Sequence, residues 1–186
     1  MRLKNNLKPS LFEKALRIAV VAHKDMVRKG DGLPYILHPV AVAMKLEKYG
    51  FSQYIVAAGL VHDVLEDTDF PVAKFKKELG EKVYKIVLAV THDDGLEWEQ
   101  KKKAYIAKVE KGPVGAKAVA IADKIHNLES LCWAYSEQGP KIWKKFNRGR
   151  EKKLWFESEM LSMVRRVWKH PLVNEYERKL KIFKAL

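Results

Sequence analysis

The sequence predicts an all-α protein built as a single domain, and three observations predict it. Apolar residues recur at helical spacing along nearly the whole chain, and period-two alternation is almost absent. Caps and breakers divide the chain into pieces of helical length. No long linker, internal repeat or low-complexity stretch interrupts the 186 residues, so they read as one unit: a core over about residues 10–135 and C-terminal helices over 136–186.

The elements follow in order. Ser10-Leu11-Phe12-Glu13 is a capping box, and it starts a helix expected to run to about Arg28. Gly30-Asp31-Gly32-Leu33-Pro34 is rich in breakers and reads as a loop. Pro39 suits a first helical turn, so a second helix should run from His38 to about Tyr49, with Gly50 past its end. Ser52 caps a third helix that reaches Glu66. Pro71 opens a short helix that Gly80 stops. Further helices are expected at about Lys82–Val90, Glu97–Glu110, Val114–Tyr135 and Arg150–Lys169, and Pro171 starts a terminal one. The run Ile86 to Val90 has a strand's composition, but Val83, Val87 and Val90 recur at helical spacing, so it is read as helix.

Cys132 is the sole cysteine, which excludes an internal disulfide and fits a reducing compartment. Met1 to Asn6 contains no apolar stretch of the signal-peptide kind. Apolar runs such as Ile55 to Val61 are too short to span a bilayer, so the expectation is a soluble cytoplasmic protein with no membrane partner. The net charge of +13 suits an anionic partner: nucleic acid, a membrane surface or a phosphorylated small molecule. Basic residues cluster at Lys74, Lys76 and Lys77, at Lys101 to Lys103, and from Lys141 to Lys153. For most of them a solvated helix face is the simpler reading.

The unusual residues are acids and histidines. At about 100° per residue, His62, Asp63, Glu66 and Asp67 share one wide face at the end of an otherwise apolar helix. Crowded, buried carboxylates are costly unless a cation neutralises them. The plainer alternative, a surface acidic turn, is the better reading for His62 alone. It is weaker for the cluster, because carboxylates at a helix C-terminus oppose the macrodipole. The helix from Val114 repeats the pattern: an apolar, small-residue run leads into Asp123-Lys124-Ile125-His126-Asn127. Asp123 and Asn127 are four apart and share a face, whereas Lys124, adjacent to Asp123, is expected to be a poor partner for it. His126 projects off that face and is read as packed rather than ligating.

His38, His62, Asp63 and Asp123 form a good ligand set for a divalent transition metal, and Glu66 and Asp67 are groups of the kind that handle water beside one. Arg28-Lys29 reads equally well as a phosphate clamp or as cations favoured at a helix C-terminus. His23, His92 and His170 have no such company and are read as structural or surface residues.

His38, then His62-Asp63, then Asp123, together with Tyr35-Ile36-Leu37-His38-Pro39 and the Glu66-Asp67 pair, resembles the HD superfamily of metal-dependent phosphohydrolases. More narrowly, the chain resembles the hydrolase domain of the RelA/SpoT-type alarmone enzymes. Arg28-Lys29, Val90-Thr91 with Lys102-Lys103, and Gly115-Ala116-Lys117 leading to Asp123–Leu128 also carry that likeness, which spans about Ala15 to Leu131. The resemblance implies an all-helical HD-type bundle with one Mn²⁺ that removes the 3′-pyrophosphate from guanosine tetra- or pentaphosphate. His38, His62, Asp63 and Asp123 would bind the metal. Glu66 and Asp67 would position and deprotonate the attacking water. Asn127, Arg28 and Lys29 would hold the nucleotide.

At this length the chain resembles the small, stand-alone alarmone hydrolases, expected to degrade the alarmone and not to make it. Beyond Leu131 the likeness fades; Tyr135, Trp143 and Trp155 are candidates for stacking on a base, though such aromatics more often serve a core. One alternative is another HD-type nucleotide phosphohydrolase, a nucleotidase or an NADPH 2′-phosphatase. Another is a helical nucleic-acid-binding module, disfavoured because the unusual residues are acidic and convergent. A homo-oligomer is compatible with exposed aromatics on a helical protein.

Overall fold

The computed structural model describes residues 8–93, 95–145 and 148–186, so the argument from Met1 to Asn6 lies outside the described residues. All regular elements among them are helical, and the sole β-type pairing is an isolated bridge between Val27 and Pro34. No described helix is long and apolar enough to cross a membrane.

Helix α1 spans Leu11–Ala22, and its cap forms as expected, with Ser10 Oγ accepting from the Glu13 N–H at 3.1 Å. It ends six residues before Arg28, the expected terminus. The chain turns back instead: the Arg28 N–H donates to the Leu33 carbonyl at 2.8 Å and the Tyr35 N–H to the Met26 carbonyl at 2.8 Å. Pairing across the Gly-rich turn satisfies backbone groups that a longer helix would have paired along its axis. Arg28 and Lys29 therefore sit on a loop, and the helix-terminus reading of them falls away.

Helix α2 (Leu37–Lys48) begins beside that loop. Helix α3 (Gln53–Val61) packs on it so closely that a Cβ at Gly59 would lie 2.5 Å from Leu46 Cδ1. Glycine is needed there for the approach, and the approach brings the end of α3 to the start of α2. The expected single helix to Glu66 is broken at His62-Asp63, and a short helix α4 (Val64–Asp67) follows. The His62 ring takes up the Gly59 carbonyl at 2.8 Å, and hydrogen bonding restarts at the Asp63 carbonyl, which accepts from the Asp67 N–H at 2.8 Å.

Helix α5 (Val72–Leu88) is kinked at Gly80, whose φ of 82° is open to glycine, so the two helices expected around that residue form end to end. Ile86 to Leu88 are helical, as their spacing predicts. Helix α6 (Trp98–Lys111) and helix α7 (Val114–Gln138) follow. A 3₁₀ segment (Gly139–Lys145), not expected from the sequence, leads to α8 (Gly149–Val167) and α9 (Pro171–Lys184). Most of α7 is buried, with α2, α3, α5, α6 and α9 packed around it. One hydrophobic core runs from Ala15 to Phe183.

Candidate metal centre and cleft

Each polar group of the site arrives on a helix end or a pinned loop. His38 comes from the first turn of α2, His62 and Asp63 from the break after α3, and Asp123 from the middle of buried α7. One ligand atom from each of His38, His62 and Asp123 lies within 4.8 Å of the other two, and all three residues are buried. His38 Nε2 is 3.1 Å from Asp123 Oδ1 and 3.6 Å from Asp63 Oδ2. His62 Nε2 is 3.2 Å from Asp63 Oδ1 and 3.8 Å from Asp123 Oδ1, and it is buried without a hydrogen bond.

An orphaned imidazole nitrogen facing two carboxylates fits a cation site. The electrostatics point the same way. Burial opposes a charge on His62, yet the Asp63 and Asp123 carboxylates raise its pKa to about 9. Burial likewise opposes ionisation of Asp123, but Lys124, His38 and His62 hold its carboxyl well below the ordinary range. Two imidazoles with adjacent carboxylates are a donor set suited to a divalent metal. Three of the four expected ligands make the tight group. Asp63 stands beside them and also accepts from the Tyr35 hydroxyl at 2.7 Å.

His126 turns its Nδ1 to His38 Nδ1 at 2.8 Å. Burial, then the neighbouring His38 and Arg28, lower the pKa of His126 to about 4, so it is neutral near pH 7. With a cation held at His38 Nε2, the His38 Nδ1–H would donate to His126, which would fix the ring's tautomer and orientation. His126 is thus packed, as expected, and it is packed against a candidate ligand.

The two acids of α4 differ in environment. Glu66 accepts from the His92 backbone N–H at 2.9 Å and from His92 Nδ1 at 3.0 Å. Burial alone would raise its pKa, but the bonds from His92 outweigh burial and bring it down to about 2. Asp67 is raised to about 6 by burial and by the charges of Asp63 and Glu66, with the Tyr35 hydroxyl at 3.2 Å opposing.

The centre forms the floor of a small cavity of about 170 Å³. It opens past Tyr35, Asp67 and Asn127 into a cleft of about 530 Å³ that Arg28, Lys29 and Lys153 also line. An adjoining cleft of about 540 Å³ is lined by Lys29, Lys102, Lys124, Lys145, Arg148 and Lys153, with no acid among its described lining residues. Arg28 Nη2 donates to Asn127 Oδ1 at 3.1 Å, and Asn127 Nδ2 donates to Asp123 Oδ1 at 2.5 Å. Arg28, one of the two phosphate-clamp candidates, is thereby tied to the candidate metal centre.

A family model described as the HD domain matches residues 15–151. The chain belongs to the HD domain family. A guanosine-3′,5′-bis(diphosphate) 3′-pyrophosphohydrolase of Aquifex aeolicus is 33% identical over 132 residues, covering 68% of this chain and 18% of that protein. A human protein of the same name is 35% identical over 120 residues, covering 63% of this chain and 67% of its own length. The chain thus spans under a fifth of the bacterial relative and about two thirds of the human one. Among solved structures, a metazoan ortholog of SpoT, described as hydrolysing ppGpp, superposes with a TM-score of 0.79 at 26% identity, covering 96% of this chain and 97% of that one. A Listeria monocytogenes EGD-e crystal structure gives a TM-score of 0.72 at 34% identity, covering 79% of this chain and 99% of that one.

Within this HD domain the structure corrects two expectations. Lys124 does pair with Asp123, its Nζ 2.6 Å from Oδ2, because a four-carbon stem curls back where adjacent Cβ directions diverge. His92 is no bystander: it lines the cavity over the candidate metal centre and binds Glu66. Tyr35 was missed as a partner of Asp63 and Asp67, and Lys153 as a cleft residue. Lys153 is 2.6 Å from the fully buried Glu157, which accepts from the Tyr176 hydroxyl at 2.5 Å. Tyr135, Trp143 and Trp155 pack partly buried against the core, while Trp98 and Phe156 are the aromatics that line the basic cleft.

Proposed function

We propose that this protein is a Mn²⁺-dependent guanosine-3′,5′-bis(diphosphate) 3′-pyrophosphohydrolase, releasing GDP or GTP and pyrophosphate. The broader class, a metal-dependent phosphohydrolase, follows from the HD domain and from relatives named for that chemistry. One observation carries the narrower reading: the metal-type centre lies at one end of a cleft whose other end is walled by cations. A nucleotide with phosphate groups at both ends of its ribose matches that polarity. A nucleic-acid duplex cannot bring its phosphates to the buried floor.

His38, His62, Asp63 and Asp123 would hold the cation. When bound, it supplies Lewis acidity toward water and a phosphoryl oxygen. Asp67 accepts a proton from water, since a carboxylate with a pKa of about 6 is a better base near neutrality than one at about 2. The water oxygen attacks the phosphorus attached to the 3′ oxygen. That P–O bond breaks, its electron pair stays with the ribose oxygen, and the ribose oxygen is then protonated. Arg28 and Asn127 orient the nucleotide, and Lys29, Lys102 and Lys153 offset charge on the phosphates.

The test is incubation of purified protein with guanosine 3′,5′-bis(diphosphate), with Mn²⁺ and separately with EDTA. GDP and pyrophosphate should form only with the metal. Orthophosphate from NADPH or from nucleoside monophosphates, with the alarmone untouched, would replace this reading with another HD-type phosphohydrolase.

Two further outcomes are expected. His126→Ala should weaken Mn²⁺ binding by ~10–100-fold, the usual cost of losing the group that orients a metal-binding histidine, as read by calorimetric titration. Arg28→Ala should raise KM by about tenfold, the loss of one charge-assisted hydrogen bond, with a smaller change in kcat.

A further inference from the structure

We propose that His92, held between Lys102 and Glu66, is a positioning residue that keeps Glu66 a fixed anion and so leaves the proton transfer from water to Asp67. The kinetic part of this proposal rests on the hydrolase reading above; the geometric part does not.

The geometry is directional. Lys102 Nζ lies 2.9 Å from His92 Nε2. An ammonium can only donate, so Nε2 is the acceptor and Nδ1 carries the hydrogen. That hydrogen goes to Glu66, whose oxygens lie 3.0 and 3.2 Å from Nδ1, and the His92 backbone N–H occupies Oε2 at 2.9 Å. Both carboxylate oxygens of Glu66 are therefore engaged. A carboxylate so bound serves as an anchor and an electrostatic neighbour, and is a poor acceptor for a third proton.

The His92 ring cannot swing away. It stacks on buried Tyr105 at 4.2 Å between centroids and 13° between planes. Lys108 holds the same loop, donating to the Thr91 carbonyl at 3.0 Å and to Asp93 Oδ1 at 2.8 Å. Lys102, Tyr105 and Lys108 recur every third residue of α6, on one face, and together bracket the loop. Among the described residues, the charged groups near Glu66 are Lys102 from α6, Lys124 from α7 and Asp67 from its own stretch of chain, with Asp63 lining the same cavity. Among the described residues His92 is the one hydrogen-bonded to it.

The test uses two variants of the full chain. His92→Phe keeps the stack on Tyr105 and removes the hydrogen bond; His92→Asn keeps an N–H near the place of Nδ1. A carboxyl ¹³C titration of the metal-free protein should show the Glu66 pKa moving up by about one unit or more in His92→Phe and much less in His92→Asn. On the alarmone, His92→Phe should lose ~10–100-fold in kcat, with KM and Mn²⁺ affinity within about twofold, and His92→Asn should recover most of the loss. A Glu66 titration unchanged in His92→Phe overturns the proposal whatever the substrate. So does an unchanged kcat, or an equal loss in both variants accompanied by a lower Tm, which would mark a merely structural role. Failure of the hydrolase reading shows separately, as absence of turnover by the unaltered protein, and the titration then decides the proposal alone.

Discussion

Asp123→Asn should reduce turnover by ~10³-fold or more and also destabilise the fold. The carboxylate faces His38 Nε2 at 3.1 Å on one side and Lys124 Nζ at 2.6 Å on the other. Neutralising it removes a charge from the cation site, and losing a metal's Lewis acidity costs several kcal/mol of barrier, about one decade of rate per 1.4 kcal/mol. It also leaves Lys124, which is buried, without its anion. Stranding one member of a buried pair costs about 3 kcal/mol or more, or about 10 °C in Tm for a chain of this size. The two effects separate in the double variant Asp123→Asn with Lys124→Met, which should regain most of the Tm and none of the activity. Calorimetry and a turnover assay on both proteins read the difference.

Asp67→Asn should lower kcat by ~10²–10⁴-fold, the range for a lost general base, and leave Mn²⁺ binding near normal. The amide oxygen can still accept from Tyr35, so the local geometry survives. The sign of the pH dependence follows from the direction of the shift. Asp67 is raised from its usual range to about 6. Below that pH it already carries a proton and cannot accept another, so the rate should fall as the solution is acidified through it. In the metal-free protein a carboxyl should titrate near 6 and vanish in Asp67→Asn. A bound cation would carry the same transition to lower pH. Glu66, at about 2, contributes no transition in the usable range.

The candidate ligands could be singled out in the sequence because each piece is local. His62-Asp63 and Glu66-Asp67 close an apolar helix, Asp123 interrupts another, and His38 precedes the Pro39 that starts a third. Helix periodicity grouped them, though it missed the break at His62-Asp63, and Gly80 and Pro171 punctuated the chain where the structure bends or restarts. Four features were not readable. Arg28 left the helix because its backbone pairs with Leu33 across a turn, a choice that capping and periodicity do not encode. His92 and Tyr35 join the site through partners 26 and 28 residues away; Tyr35 stands in the motif before His38, but no local pattern says which acid either residue meets. Lys124 was excluded by a rule about Cβ directions that a long flexible side chain evades. The C-terminal contribution, Lys153 anchored by buried Glu157, depends on how α8 and α9 pack and carries no motif.

In the proposed reaction, one cation at the His38, His62, Asp63 and Asp123 cluster runs the hydrolysis. The direct measurement is a Mn²⁺ titration of chelated protein, with bound metal and pyrophosphate release from guanosine 3′,5′-bis(diphosphate) followed in the same samples. Activity rising in step with occupancy and saturating at one Mn²⁺ per chain is the predicted result. Full activity in the chelated protein, or saturated binding with no pyrophosphate released, would contradict it.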